Sequence, residues 1–157
     1  MRTRCGAARA PGFTLIEIFL AIAIIGVVIA IVVSSYSHYR ERMRVYQAVT
    51  EIGALSGLIS NYVVDVHSPP DTLSQVGAAG KPDPWGRPYE YFNLSTSKGN
   101  GKARRDKSLN PLNSDFDLYS VGKDGDSSSQ LMAKKSRDDV IRARDGRFIG
   151  LARDFDP

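Results

Sequence analysis

The sequence predicts an α+β chain: one long N-terminal α-helix, transmembrane in its first half, packed on a small antiparallel β-sheet of about three strands. Three observations carry this. An apolar block from Phe13 to Val33 holds only two polar side chains, Thr14 and Glu17. Apolar residues then recur in steps of three and four as far as Val66. Beyond Pro69-Pro70, short alternating runs are separated by Gly, Pro, Asp and Ser.

The block 13–33 is long enough to cross a hydrocarbon layer of about 30 Å as a helix rising about 1.5 Å per residue. Arg2, Arg4 and Arg9 precede it with no acidic companion, which places the N-terminus on the cytoplasmic side; Arg40, Arg42 and Arg44 weaken that asymmetry. A secretory signal peptide fits less well. Small residues in an A-x-A-like pattern should follow its apolar region, whereas Ser34-Ser35-Tyr36 leads into a further amphipathic stretch.

The basic balance of the chain, 21 Lys and Arg against 17 Asp and Glu, is largely a property of that leader. Without its three arginines the count is 18 against 17, so a global nucleic-acid footprint is not expected. The single cysteine, Cys5, also lies there, and a chain trimmed of its leader has no disulfide to staple a small domain.

In the second stretch, 34–68, Tyr36, Tyr39, Met43, Tyr46, Val49, Ile52, Leu55, Ile59, Tyr62 and Val66 form one helical stripe. Pro69-Pro70 ends it, because neither residue has an amide hydrogen and the position before proline avoids helix. Within 69–157, Tyr89–Phe92, Asp115–Val121 and Arg147–Leu151 read as strands, and Trp85 in the turn Asp83–Pro88 reads as a core anchor.

Glu17 needs a reason. A carboxylate in an apolar span costs about 2.5–3.5 kcal/mol on insertion scales unless it finds a partner. It is either a tolerated charge near the headgroups or one awaiting a cation. Cleavage between Gly12 and Phe13 would create that cation, the new ammonium of Phe13, which Glu17 of the next subunit in a staggered array would neutralise.

The run Gly12-Phe13-Thr14-Leu15-Ile16-Glu17, continued by Ile18 to Gly26, resembles the processing motif of type IV pilins and type II secretion pseudopilins. The resemblance implies a pilin-like fold, removal of the leader 1–12 by a prepilin peptidase, N-methylation of Phe13, and an assembly role for Glu17. One departure is Ser34, where the family often has a proline that kinks the helix. Asp83-Pro84-Trp85-Gly86-Arg87-Pro88-Tyr89 and Asp117 to Gly125 are similar to segments of major pseudopilins. The chain thus resembles a secretion pseudopilin more than an adhesive pilin, in keeping with its lack of a C-terminal cysteine pair.

Asp124, Asp126, Asp138 and Asp139 are hard oxygen donors on Gly- and Ser-rich loops. On residues alone they are solvated turn aspartates or a calcium site, since calcium takes six to eight oxygens and tolerates irregular loops. The resemblance implies the second: calcium held by the Val121 carbonyl, Asp124, Asp126, Asp138 and Asp139. The basic insert Ser127–Arg137 departs from the family pattern and leaves the register open.

No catalytic constellation is visible, and no enzyme is expected. His38 and His67 stand far apart, and the basic loop Gly99–Lys107 reads as solvated, with no interleaved aromatics for a nucleic acid. The function implied is a structural subunit in the bacterial inner membrane, with its C-terminal domain in the periplasm. It would polymerise into a short secretion filament with copies of itself and minor pseudopilins, through an assembly platform and its ATPase. A type IV pilus or DNA-uptake subunit is the near alternative. A single-pass anchor carrying a calcium-dependent binding module is the alternative of another class.

Overall fold

The computed structural model describes residues 12–96 and 103–156. Cys5, the three leader arginines and Lys102 of the basic loop lie outside them. The described residues divide into two units between Arg40 and Glu41.

Helix α1 is assigned from Leu15 to Val66, without a break at Ser34. Proline is absent from this stretch, so every backbone amide is available to the i→i−4 ladder. Apolar side chains in the first unit are exposed on all sides, and the most apolar window of the helix has a mean hydropathy of 3.1 with none of it buried. A helix apolar all round needs an apolar surrounding, which makes it a candidate membrane anchor. After Val66 the chain turns through His67, whose φ of 63° is left-handed, and its amide donates to the Val63 carbonyl at 2.8 Å. Pro69 and Pro70 follow and prevent the helix from resuming.

In the second unit the stripe is buried only in part. Ala48, Ile52, Leu55 and Ile59 are at most 2% exposed, whereas Tyr46 and Val66 face outward. The buried set meets a four-stranded antiparallel sheet: β1 (Glu90–Asn93), β2 (Phe116–Ser120), β3 (Val140–Ala143) and β4 (Phe148–Leu151), in the order β1-β2-β3-β4. Three of these are the expected strands. β3 is an additional one, masked in the sequence by Arg142 at its centre and by four residues that are all buried instead of alternating.

The strand period sorts side chains between two layers. Phe116, Leu118 and Val140 join the helix residues and Tyr89 in one core, with Trp85 and Ile149 packed against it. Ile141 and Ala143 turn the other way, onto Leu112, Leu131 and Ala152. Each fully buried aliphatic stabilises the fold by about 1.5–3 kcal/mol, so the four helix residues anchor this unit.

Candidate functional site

Gly12, Phe13 and Thr14 precede α1 in non-helical backbone, and Phe13 is 81% exposed. The helix begins on a Thr-x-x-Glu pattern. The Glu17 amide donates to Thr14 Oγ1 at 3.3 Å, and the Thr14 amide donates to Glu17 Oε2 at 3.4 Å, the reciprocal arrangement of a capping box. Thr14 Oγ1 also donates to Glu17 Oε2 at 3.5 Å. These bonds are long and exposed, and Glu17 makes no ion pair among the described residues. The carboxylate therefore keeps its charge unneutralised, and the negative end it offers the first turn suits the helix dipole. Among the described residues, nothing lies within 4 Å of where a side chain on Gly12 would begin. Packing among the described residues does not require glycine there.

The acidic loop follows β2. Gly122 (φ 68°) and Gly125 (φ 77°) turn it in left-handed conformations open to glycine. Both are also tightly covered: a side chain on Gly122 would strike the Asp138 carbonyl, and one on Gly125 the Arg87 guanidinium. Arg87 Nη1 donates to the Gly122 carbonyl at 2.8 Å, so the Trp85-Gly86-Arg87 turn braces this loop. Asp83 shapes the turn in its own right, accepting from the Trp85 and Arg87 amides and from the Ser120 hydroxyl.

Asp124 and Asp138 are brought together, the Asp124 amide donating to Asp138 Oδ2 at 3.0 Å, and the Asp126 amide closes an Asx-type turn onto Asp124 Oδ1 at 2.9 Å. Asp139, the next residue, belongs elsewhere. It is fully buried, and its Oδ2 accepts from Arg104 Nη2 and from Ser127 Oγ, both at 2.6 Å. Burial pushes its carboxyl up to about 6, with Arg104 and Ser127 pulling the other way. Among the described residues no three of His, Cys, Asp and Glu come together as a metal-holding group. Of the four expected carboxylates, Asp124 and Asp138 are thus linked through the Asp124 amide, while Asp139 Oδ2 faces the Arg104 guanidinium and Ser127.

Arg104 is the residue that sequence reasoning misplaced. It stands in the basic loop read as solvated, yet it is 2% exposed, with its guanidinium 4.1 Å over the Tyr119 ring. Its amide donates to Asp117 Oδ2 at 2.8 Å, and Asn113 Nδ2 reaches Asp117 Oδ1 at 2.9 Å. Burial raises the Asp117 carboxyl above the usual range, against those two donors. Nothing in the composition of that loop marks which of its cations is buried.

The type II secretion system core protein G of Xanthomonas campestris pv. campestris is 32% identical over 138 residues, 78% of this chain and 83% of the relative. Its namesake from Pseudomonas aeruginosa is 30% identical over 135 residues, 73% of this chain and 84% of the relative. The chain belongs to the family of type II secretion core protein G. A Pseudomonas aeruginosa fimbrial protein is 38% identical, but over only 72 residues, 42% of this chain. The core protein G matches therefore cover most of the chain, and the fimbrial match covers less than half. No family model matches the chain, and no solved structure matches it. The Gly12–Glu17 run and the Trp85 turn lie in separate units.

Proposed function

We propose that this chain is the structural subunit of a type II secretion filament, a pseudopilin made as a precursor and assembled from the bacterial inner membrane. A prepilin peptidase removes the segment up to Gly12 and the new amine of Phe13 is methylated. The apolar half of α1 holds the subunit in the bilayer as a single pass, with its N-terminus cytoplasmic and its sheet domain periplasmic. Transfer into the filament exchanges lipid around that half for the helices of other copies, and the Phe13 ammonium of one subunit neutralises Glu17 of another. Minor pseudopilins, an assembly platform and its ATPase complete the machine, and growth of the fibre drives protein export.

The observation that carries this reading is the family membership over most of the chain, on a helix whose first half is apolar all round and unburied. Two local facts support it. Among the described residues nothing packs against Gly12, which leaves the position open to a processing enzyme. Glu17 holds an unneutralised charge that cleavage would match. The mechanism is polymerisation, with no chemistry on a substrate.

The test is the intact mass of the chain from membranes of cells with and without prepilin peptidase, paired with the exported proteins of cells lacking the chain. Loss of Met1–Gly12 with one added methyl, only when the peptidase is present, and loss of export without loss of surface pili are expected. An unchanged full-length mass in both strains would leave a membrane-anchored module. Loss of pili with export intact would assign the subunit to a pilus.

A further inference from the structure

The insert Ser127–Arg137 needs something to hold it, and the chain supplies this from 23 residues upstream of Ser127. Arg104 Nη1 donates to Ser127 Oγ at 2.7 Å, Nη2 donates to Asp139 Oδ2 at 2.6 Å, and Ser127 Oγ donates to the same carboxylate oxygen. The three groups close a ring that clasps the two ends of the insert to one cation. Beside it the backbone of Arg105 forms two rungs with the insert: its amide donates to the Ser129 carbonyl at 2.7 Å, and its carbonyl accepts from the Leu131 amide at 3.1 Å. Ser136 Oγ closes the insert on itself, accepting from the Ser128 amide at 2.9 Å and donating to the Ser128 carbonyl at 3.1 Å.

We infer that the buried guanidinium of Arg104 is the cation that staples the Ser127–Asp139 segment, so that this domain folds without a metal ion at Asp139. A carboxylate with no exposure must be matched by positive charge close by, and a guanidinium at 2.6 Å matches it. A divalent ion on the same carboxylate would be placed at short range from the guanidinium, and the repulsion is weakly screened in a buried site. Asp138 leans away from this ring, toward the Asp124 amide, as expected of adjacent residues at the entry to a strand. Asp139 Oδ1 has no hydrogen-bond partner and is the atom a metal would take, so chelation is the direct test.

The full chain in detergent micelles is unfolded thermally while the fluorescence of its single tryptophan, Trp85, is followed, once with excess EDTA and once with millimolar calcium. The midpoints should agree within about 2 °C, and Arg104→Met should lower the midpoint by about 10 °C or more in both conditions. Arg104→Lys, which keeps a charge but not the planar fork, should fall between. If Arg104→Met yields no folded protein, the wild-type comparison and Arg104→Lys still decide. A wild-type midpoint that drops by about 5 °C or more on chelation and returns with calcium overturns the inference, as does an Arg104→Met chain as stable as the wild type.

Discussion

The phenolic hydroxyl of Tyr89 donates to Glu51 Oε2 at 2.7 Å, which ties the residue leading into β1 to the middle of the buried helix face. Burial, and then the Glu51 carboxylate, drive the ionisation of this phenol well above its ordinary range, so it remains a donor at any physiological pH. Trp85 makes a parallel bond nearly three turns earlier on the helix, from Nε1 to Glu41 Oε1 at 3.0 Å. Tyr89→Phe keeps the ring and leaves Glu51 with Lys81 at 4.0 Å. It should cost about 1.5–3 kcal/mol, the range for a hydrogen bond to a charged group, in a urea titration followed by Trp85 fluorescence.

Glu17 holds two roles that substitution separates. Glu17→Gln keeps a side chain able to complete the capping box with Thr14 and removes the charge. Thr14→Ala keeps the charge and removes the cap, at a cost of about 1 kcal/mol to the first turn. Filament formation should fall at least tenfold in Glu17→Gln and by less than about threefold in Thr14→Ala, read by sedimentation of sheared fibres, if pairing with an ammonium is the assembly requirement.

Two glycines should respond in opposite directions. Gly122→Ala forces a side chain into the Asp138 carbonyl at a φ of 68°, and a loss of about 2 kcal/mol or more is expected in the same titration. Gly57 is helical, exposed and open, so Gly57→Ala should stabilise by about 0.5–1 kcal/mol. A stabilising Gly122→Ala would contradict the tight cover on the acidic loop.

Asp145 gives the domain an acid-sensitive contact. The Ser114 amide donates to its Oδ1 at 2.7 Å and the Ser114 hydroxyl to its Oδ2 at 3.0 Å, and these hold its carboxyl below the ordinary value of 3.8. The folded state therefore binds this proton more weakly than the unfolded state. The contribution is complete above about pH 4 and is lost as pH falls through the depressed value. Asp145→Asn, which tolerates the left-handed φ of 55° at that turn, should be less stable than wild type at pH 7, because it lacks the charge that the Ser114 donors favour. Between pH 4 and pH 2 its stability should decline less steeply than that of the wild type.

The legible parts of this molecule were those set by local periodicity. Ile52, Leu55 and Ile59 announced their shared face, and Pro69-Pro70 announced the end of the helix. The same stripe gave no sign that Tyr36, Tyr39, Met43 and Tyr46 would stay exposed, because spacing tells which residues share a face and not whether that face meets a partner. β3 was hidden because a strand covered on both sides loses its alternation and because Arg142 interrupts it. That arginine is neutralised by a bidentate bond to Asp115, at 2.8 and 2.7 Å, across 27 positions of sequence. Recognising β3 would also have shown that Asp138 and Asp139, next to each other at its entry, face different surroundings. Arg104 was illegible for the same reason as Arg142: what buries a charge is a partner far along the chain.

The meander β1-β2-β3-β4 pairs every strand with its neighbour in sequence, yet its last member closes the unit. Ile149 of β4 reaches to 3.8 Å from the position a side chain on Gly53 would take, so the helix made early is covered by the strand of this sheet made last. Local pairing lets the sheet grow as the chain emerges, and that favours fast folding. The helix face nonetheless waits, partly wet, until β4 has been made. Completion of β4 therefore acts as a checkpoint: a subunit truncated before Phe148 keeps its anchor and its N-terminal charge but presents an unfinished domain to everything downstream.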